Sequence, residues 1–230
     1  MRLLILTTET PHHVYFVKRL KQFNPLVISE ESMRIKKDFD HKFFQERIEI
    51  EKNHWFDGKS VNFEEISNTF YTKNINDQIT LKQIEQFDPQ LTICFGTRIL
   101  ESKLISKFNK KIFNLHGGNP EEYRGLDSHF WSLYHNDING FVSCLHLLTE
   151  NVDSGPIVFL EKINLQKVRK LEYLQIENTN TCVNISLKLI KAHGGLIKYF
   201  KQKQKGRYYS KLPACLIEKC QKNFLKIKIK

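Results

Sequence analysis

The chain has 230 residues, of which 40% are hydrophobic, and a formal net charge of +11. This composition excludes a disordered chain, and the length suits one α/β domain with a proper core. No apolar run reaches the ~18 residues that a membrane span needs. The five cysteines form no C-x-x-C pair and the nine histidines no H-E-x-x-H motif, so we predict neither a metal site nor a disulfide framework.

The positive charge is concentrated at the C-terminal end. Residues 198–230 hold 11 lysines or arginines and one acid, Glu218, whereas the remaining residues are nearly balanced. Such a tail could bind nucleic acid or an anionic membrane, or it could be a solvated lysine face. No nucleic-acid-binding motif accompanies it, so we expect no specific nucleic acid and no membrane as partner.

The first half of the chain predicts alternating strands and helices. The first strand pattern is too short for a signal-peptide core, which predicts a cytoplasmic protein. Thr10 and Pro11 are typical of a helix start, and Asp88-Pro89 of a helix end. Strands are predicted at residues 3–6, 25–29 and 91–95, and helices at 10–22, 33–51, 62–70, 77–87 and 98–108.

The second half continues this pattern. Strands are predicted at residues 112–116, 141–148 and 157–160, and helices at 126–134 and 168–203, the latter with a break at Gly194-Gly195. This alternation predicts an α/β fold with a mainly parallel, open twisted sheet and helices on both faces. We expect a main domain over residues 1–165 and a C-terminal helical and basic extension, residues 166–230, packed on the same domain.

The most informative stretch begins at Lys111 and ends at Pro156. Within the strand predicted at residues 112–116, Asn114 and His116 lie on the same face, because side chains alternate along a strand. Both precede a Gly-Gly turn, and α/β sheets place their chemistry where strands end in loops. A pair of this kind can also be a purely structural hydrogen-bonded pair.

This stretch resembles the formyltetrahydrofolate-dependent formyltransferase family. Asn114-Leu115-His116 is similar to the family's Asn-x-His motif, and Tyr123-Arg124-Gly125 to the turn that follows it. Asp153-Ser154-Gly155-Pro156 resembles the loop that carries the family's catalytic aspartate. The motifs occur in the family's order and spacing, and residues 80–165 carry the resemblance. The fold it implies agrees with the α/β sheet predicted from the pattern.

The resemblance implies transfer of a formyl group from formyltetrahydrofolate, the formyl donor, to a primary amine. Asn114 would donate a hydrogen bond to the formyl oxygen, and His116 would do so when protonated. Asp153 would orient His116 and help to remove the amine proton. With these three catalytic residues the main domain is a catalytic domain, and the chemistry requires no metal.

The resemblance also implies which residues hold the donor. Two segments would contact it through main-chain groups, Arg98, Ile99 and Leu100 in the first and Glu150, Asn151 and Val152 in the second. Asn119 and Arg124 are assigned to the acceptor substrate, although Arg124 could simply brace its turn. His146 is predicted to be either structural or a support behind the catalytic residues, and not itself catalytic. His12 and His13 either line the acceptor site or are ordinary histidines at a helix start.

The branch of the family is predicted from features that the sequence lacks. The glycinamide ribonucleotide enzyme holds its substrate phosphate with a loop rich in glycine and serine, which residues 7–12 do not provide. The extra domains of the methionyl-tRNA enzyme and of formyltetrahydrofolate hydrolase do not fit this length. We therefore expect a nucleotide-linked amino sugar as the small-molecule amine, in surface glycan or lipopolysaccharide synthesis, and allow for a homodimer. A glycinamide ribonucleotide-type enzyme and an inactive, basic binding protein with this fold stay open as alternatives.

Overall fold

The computed structural model describes residues 1–31, 42–108 and 111–229. The strands are β1 Leu3–Thr8, β2 Leu26–Glu30, β3 Thr69–Thr72, β4 Leu91–Phe95, β5 Ile112–His116, β6 Tyr123–Gly125, β7 Val142–Leu147, β8 Ile157–Lys162 and β9 Arg207–Tyr209. The helices are α1 Pro11–Leu20, α2 Lys42–Phe56, α3 Gln78–Phe87, α4 Ser102–Ile105, α5 Ser128–Tyr134, α6 Leu174–Ala192 and α7 Ile217–Ile229.

Seven strands form one sheet in the order β3-β2-β1-β4-β5-β7-β8. The first five strands of this order are parallel to one another, whereas β7 runs antiparallel to β5, and β8 antiparallel to β7. This confirms the predicted mainly parallel sheet. Because β1, β4 and β5 are parallel neighbours, the loops that follow them lie at one edge of the sheet.

The two faces of the sheet are covered by different helices. Leu3 and Ile5 pack with α1 and α6, whereas Leu4 and Leu6 pack with α3 and α4. All four side chains are fully buried. Burial of a leucine or isoleucine side chain contributes roughly 1.5–3 kcal/mol, so the alternating strand is stabilised from both sides. Helices on both faces were predicted, and the structure confirms them.

A third hydrophobic cluster holds the C-terminal segment against the rest of the molecule. Phe224 and Cys220 of α7 pack with Leu133 of α5 and with Phe43 of α2. The short strand β9 pairs in parallel with β6 and forms a second, two-stranded sheet. Residues after 165 therefore contribute to the surroundings of β6 and its turn.

Three predicted helices differ from the structure. The helix predicted at 62–70 is absent: residues 64–66 form a turn, and residues 69–72 form β3, because Thr69, Phe70, Tyr71 and Thr72 pair with β2 and favour a strand. The helix predicted at 98–108 begins only at Ser102, and the long helix predicted at 168–203 is α6. It ends before Gly194, whose φ of +93° is left-handed. Much of the helix predicted at 33–51 lies outside the described residues, and α2 extends beyond it to Phe56.

In the part of the chain that the structure describes, every helix is too short or too polar to cross a lipid bilayer.

Candidate active site

A cavity of about 840 Å³ opens where β4 and β5 end. Phe95 and Gly96 line it after β4, and His116 and Gly117 line it after β5. Open α/β sheets bind ligands in the crevice at the carboxyl ends of their parallel strands. The volume is within the range of small-molecule sites, so this cavity is the candidate functional site.

Four polar side chains meet in the wall of the cavity. The Nδ2 atom of Asn114 lies 3.2 Å from Oδ1 of Asp153 and 3.2 Å from Nε2 of His146. The Nδ1 atom of His116 lies 3.4 Å from Oδ2 of Asp153. The three residues predicted as catalytic are therefore brought together, although their sequence positions are up to 39 residues apart.

His146 also belongs to this cluster, where it contacts Asn114 and Asp153 from the neighbouring strand. The antiparallel register of β5 and β7 places His146 directly opposite Asn114. Its Nδ1–H donates to the Leu147 carbonyl at 2.9 Å, and its Nε2 lies 3.2 Å from Nδ2 of Asn114. Nε2 also lies 3.3 Å from Oδ1 of Asp153. The pairing of two strands was the signal that could have revealed this contact.

Both ring nitrogens of His116 face oxygen atoms of the protein. Nε2 lies 2.7 Å from the Tyr123 carbonyl oxygen, so this nitrogen carries a hydrogen and donates it. Burial lowers the pKa of His116, while Asp153 and the Tyr123 carbonyl raise it and His146 lowers it further. The net shift is downward.

Asp153 is held in place from several sides. Its φ of +49° is left-handed, a conformation that aspartate tolerates better than most residues do. The Gly125 N–H donates to its Oδ2 at 2.8 Å, and Gln202 donates to its main-chain oxygen at 2.9 Å. Burial would raise the pKa of Asp153, but His116, His146 and the Gly125 N–H together lower it below its usual value. The carboxylate is therefore ionised at neutral pH.

The segment predicted to hold the donor forms one end of the cavity. Arg98, Ile99 and Leu100 all line it. Nε of Arg98 lies 2.5 Å from Oε1 of the buried Glu30, and Asn76 donates to the Ile99 carbonyl at 3.1 Å. These contacts hold the segment in a non-helical conformation, which explains why α4 begins later than predicted.

Only part of the second predicted donor segment lines the cavity. Glu150 and Val152 line the cavity, whereas Asn151 does not. The Asn151 carbonyl instead accepts hydrogen bonds from Thr149 Oγ1 at 3.2 Å and from the Ser154 N–H at 3.3 Å. It therefore shapes the loop that carries Asp153.

Arg124 and Asn119, the two residues assigned to the acceptor, do not line the cavity. The Arg124 guanidinium donates to the Gly206 carbonyl at 2.7 Å, the Val152 carbonyl at 3.0 Å and Ser154 Oγ at 3.1 Å. Oδ1 of Asn119 accepts from the Glu121 N–H at 3.1 Å. In this structure Arg124 braces two loops and Asn119 shapes a turn, and their assignment to the acceptor stays a prediction.

The side chains at the end of β1 are engaged by protein groups. Glu9 accepts from the Phe63 N–H at 3.0 Å and from the Tyr71 hydroxyl at 2.6 Å. His12 Nδ1 lies 2.9 Å from the fully buried carboxylate of Glu51. His13 is buried beneath Gly96, where an added Cβ would lie 2.4 Å from the imidazole. These residues tie β1 to its neighbours, and neither histidine lines the cavity.

Two buried histidines should make the stability of the protein depend on pH. Burial lowers the pKa of His129 to about 4, and it also lowers the pKa of His13. Below pH 6.5 these two histidines bind protons in the unfolded chain but stay unprotonated in the folded chain. The free energy of unfolding should therefore fall as the pH drops from 6.5 towards 4, by about 1.4 kcal/mol per pH unit for each histidine.

Urea denaturation at several pH values between 7 and 4.5 would measure this dependence. The His129→Gln variant should show a shallower slope than the wild type because one such group is removed. His54→Gln removes an exposed histidine of α2 and is the matched control. Equal slopes for His129→Gln and the wild type would contradict the expected protonation.

Comparison with known proteins adds evidence of common ancestry. Residues 27–180, about two thirds of the chain, match the family model described as formyl transferase. The methionyl-tRNA formyltransferase of Finegoldia magna is 28% identical over 104 residues, which are 44% of this chain and 33% of that protein. This chain thus spans about a third of the length of that curated relative.

Solved structures share the fold. A 4-N formyltransferase from Francisella tularensis has a TM-score of 0.60 at 14% identity, over 91% of this chain and 76% of that one. The formyltransferase PseJ from Anoxybacillus kamchatkensis, solved with UDP-4,6-dideoxy-4-formamido-L-AltNAc and tetrahydrofolate, has a TM-score of 0.58 at 15% identity. That alignment covers 91% of this chain and 86% of PseJ. At these identities the likeness establishes a common architecture.

Proposed function

The chain belongs to the formyl transferase family, and from this premise we propose that it transfers a formyl group from formyltetrahydrofolate to the primary amine of a nucleotide-linked amino sugar. The observation that carries this proposal is the contact of Asn114, His116 and Asp153 in one cavity wall. An inactive protein with this fold would be free to lose one of these side chains. The reaction would serve surface glycan or lipopolysaccharide synthesis, in the cytoplasm.

The donor would occupy the end of the cavity formed by Arg98, Ile99 and Leu100, with Glu150 and Val152 beside them. Leu100 and the neighbouring Leu148 provide apolar surface for a flat heterocycle, and the adjacent main chain provides hydrogen-bond donors and acceptors for its edge. The Glu30–Arg98 ion pair fixes this wall before any ligand arrives. In this pose the formyl group would point towards Asn114.

The reaction begins when the lone pair of the amine attacks the formyl carbon. A carbon–nitrogen bond forms and the formyl oxygen becomes negative. The Asn114 Nδ2 atom, which lies 3.2 Å from both Asp153 and His146 in the resting site, gives up one of these contacts and donates a hydrogen bond to that oxygen. The bond to the folate nitrogen then breaks, and the proton lost by the amine ends on that nitrogen. Asp153 is ionised and can carry this proton between the two, either directly or through a water molecule.

His116 has a more restricted role than the sequence suggested. Its Nε2–H is donated to the Tyr123 carbonyl, and its Nδ1 faces Asp153. To reach the formyl oxygen, the ring would have to release the Tyr123 carbonyl. In the resting geometry it supports Asp153, and it becomes a proton partner for that carboxylate as charge develops.

The acceptor assignment is supported by the end of β1. A phosphate of glycinamide ribonucleotide would require free main-chain or cationic donors there. Glu9 instead occupies the neighbouring Phe63 N–H, and His12 is paired with Glu51. Fold relatives such as PseJ, which was solved with a nucleotide-linked formamido sugar, make the same acceptor class the favoured candidate here.

A competition experiment should identify the acceptor class. Glycinamide ribonucleotide and several nucleotide-linked amino sugars would be offered together with formyltetrahydrofolate, and the formylated products identified by mass spectrometry. We expect formylation of an amino sugar, because the loop after β1 offers no phosphate site. The Asp153→Ala variant is the control for uncatalysed transfer.

Each other outcome identifies a different error. Preferential formylation of the ribonucleotide would overturn the sugar assignment and leave the catalytic cluster intact. Binding of tetrahydrofolate without transfer to any amine of the set would mean that the acceptor belongs to another class. Absence of tetrahydrofolate binding would favour an inactive binding protein and overturn the proposed function.

A further inference from the structure

One part of the cavity wall is not used by the donor or by the catalytic cluster. It is formed by α2, by the turn between β6 and α5, and by residues that begin α6. Phe130, Leu171 and Leu174 make much of it apolar, and Gln175 adds an amide. Among the described residues that line this part, Arg47 is the one arginine or lysine.

Arg47 is held at the cavity by an ion pair and a ring contact. Its Nε lies 3.3 Å from Oε1 of Glu51, and its guanidinium lies against the Phe44 ring, 5.4 Å from the centroid. The side chain is only 21% exposed. Its Nε is buried, and no group in the described part of the chain accepts a hydrogen bond from it.

Charges of both signs surround Arg47. Glu51 is shared with His12, which lies 2.9 Å from its second oxygen. Burial raises the pKa of Asp127 on the β6–α5 turn, although the Leu212 N–H, Arg47 and Lys211 act to lower it. Lys211 lies against the same Phe44 ring, 5.6 Å from its centroid, and adds a second positive charge.

We propose that Arg47 binds an anionic group of the acceptor, namely a phosphate of its nucleoside diphosphate. This inference rests on the proposed function and adds the residue that recognises the charged part of the substrate. An arginine fork binds phosphate with two parallel hydrogen bonds, which are strong where water is largely excluded. The residues that follow β1 are already engaged by other protein groups. Arg47 therefore takes the phosphate-binding role that a glycine-rich loop has in the glycinamide ribonucleotide enzyme.

Binding of inorganic pyrophosphate, measured by isothermal titration calorimetry, tests the proposal without knowledge of the sugar. Arg47→Gln should weaken binding roughly tenfold or more, since charged hydrogen bonds to the anion are lost. Glu51→Gln should leave binding unchanged or tighten it, because a nearby negative charge is removed. Arg19→Gln makes the same charge change on the exposed side of α1 and should have no effect.

Arg47→Gln leaves Glu51 buried with one partner fewer, so the double variant Arg47→Gln/Glu51→Gln is needed as well. It removes both charges and should bind pyrophosphate as weakly as Arg47→Gln. Thermal denaturation of each variant would report folding. Equal weakening by Arg47→Gln and Glu51→Gln would mean that the pair acts structurally, and would overturn the proposal.

Tetrahydrofolate binding, measured in the same variants, separates this inference from the proposed function. It should be the same in Arg47→Gln and the wild type, because Arg47 lies outside the donor end of the cavity. Failure of the wild type to bind tetrahydrofolate would overturn the proposed function. Absence of pyrophosphate binding by the wild type, or binding unaffected by Arg47→Gln, would overturn the role of Arg47 alone.

Discussion

The Asn114→Ala variant should lose roughly two to three orders of magnitude in kcat and keep its affinity for tetrahydrofolate. In the proposed mechanism this amide donates to a charge that exists mainly in the transition state, and loss of one such donor typically costs ~10²–10³ in kcat. Asn114 is half-buried on β5 and lines the cavity, so its removal leaves the sheet intact. Single-turnover formylation together with tetrahydrofolate titration would measure both quantities.

The same expectation extends to the two partners of Asn114 in the proposed mechanism. His116→Ala and Asp153→Ala should each lower kcat by roughly 10²–10⁴, the usual contribution of a positioned acid or base. The effects of the three substitutions on kcat should not be additive, because these residues contact one another and act as a unit. His54→Ala on α2 is the control for loss of a histidine. Near-normal turnover in His116→Ala or Asp153→Ala would remove the proposed catalytic centre.

Local sequence patterns predicted the strands that build the site. The bounds of β4 and β5 agree with the prediction, because each is a short run of mostly apolar residues that ends just before a glycine or a Gly-Gly turn. The alternation within β5 placed Asn114 and His116 on one face. These features depend only on neighbouring residues in the chain, so they could be predicted from the sequence alone.

Features that depend on distant partners were not predictable in this way. His146 reaches Asn114 only through the register of β5 and β7. Arg124 binds Gly206, 82 residues away, so its bracing role was invisible in its own motif. Arg47 lines the cavity because α2 packs against residues 171–173, and no local pattern indicates that contact. In each case a tertiary contact decides what the side chain does.

The extension after residue 165 also shapes the site, through one glycine. Gly125 has a φ of +92°, and its N–H donates to Oδ2 of Asp153. An added Cβ would lie 2.2 Å from the Tyr209 carbonyl oxygen, which belongs to the strand paired with β6. Neither the β6 backbone nor the β9 backbone can move away without breaking the pairing of these strands. Position 125 therefore requires a glycine.

Gly125→Ala should therefore destabilise the protein strongly. The left-handed conformation costs roughly 1–2 kcal/mol for a residue with a Cβ, and overpacking adds roughly 1–3 kcal/mol. At about 2–4 °C per kcal/mol for a domain of this size, Tm should drop by roughly 4–20 °C. Activity should fall further than stability alone implies, because a displaced Gly125 N–H no longer supports the ionised Asp153.

Gly194→Ala is the matched control for this prediction. Gly194 has a φ of +93°, nearly that of Gly125, but an added Cβ would meet nothing within 4 Å. This variant should show only the conformational cost, roughly 1–2 kcal/mol, with normal turnover. Differential scanning calorimetry measures the Tm of both variants. The difference between the two Tm values is the contribution of the close approach to Tyr209. Equal Tm values for the two variants would mean that β6 and β9 can separate freely, so that the C-terminal extension does not hold Asp153 in position.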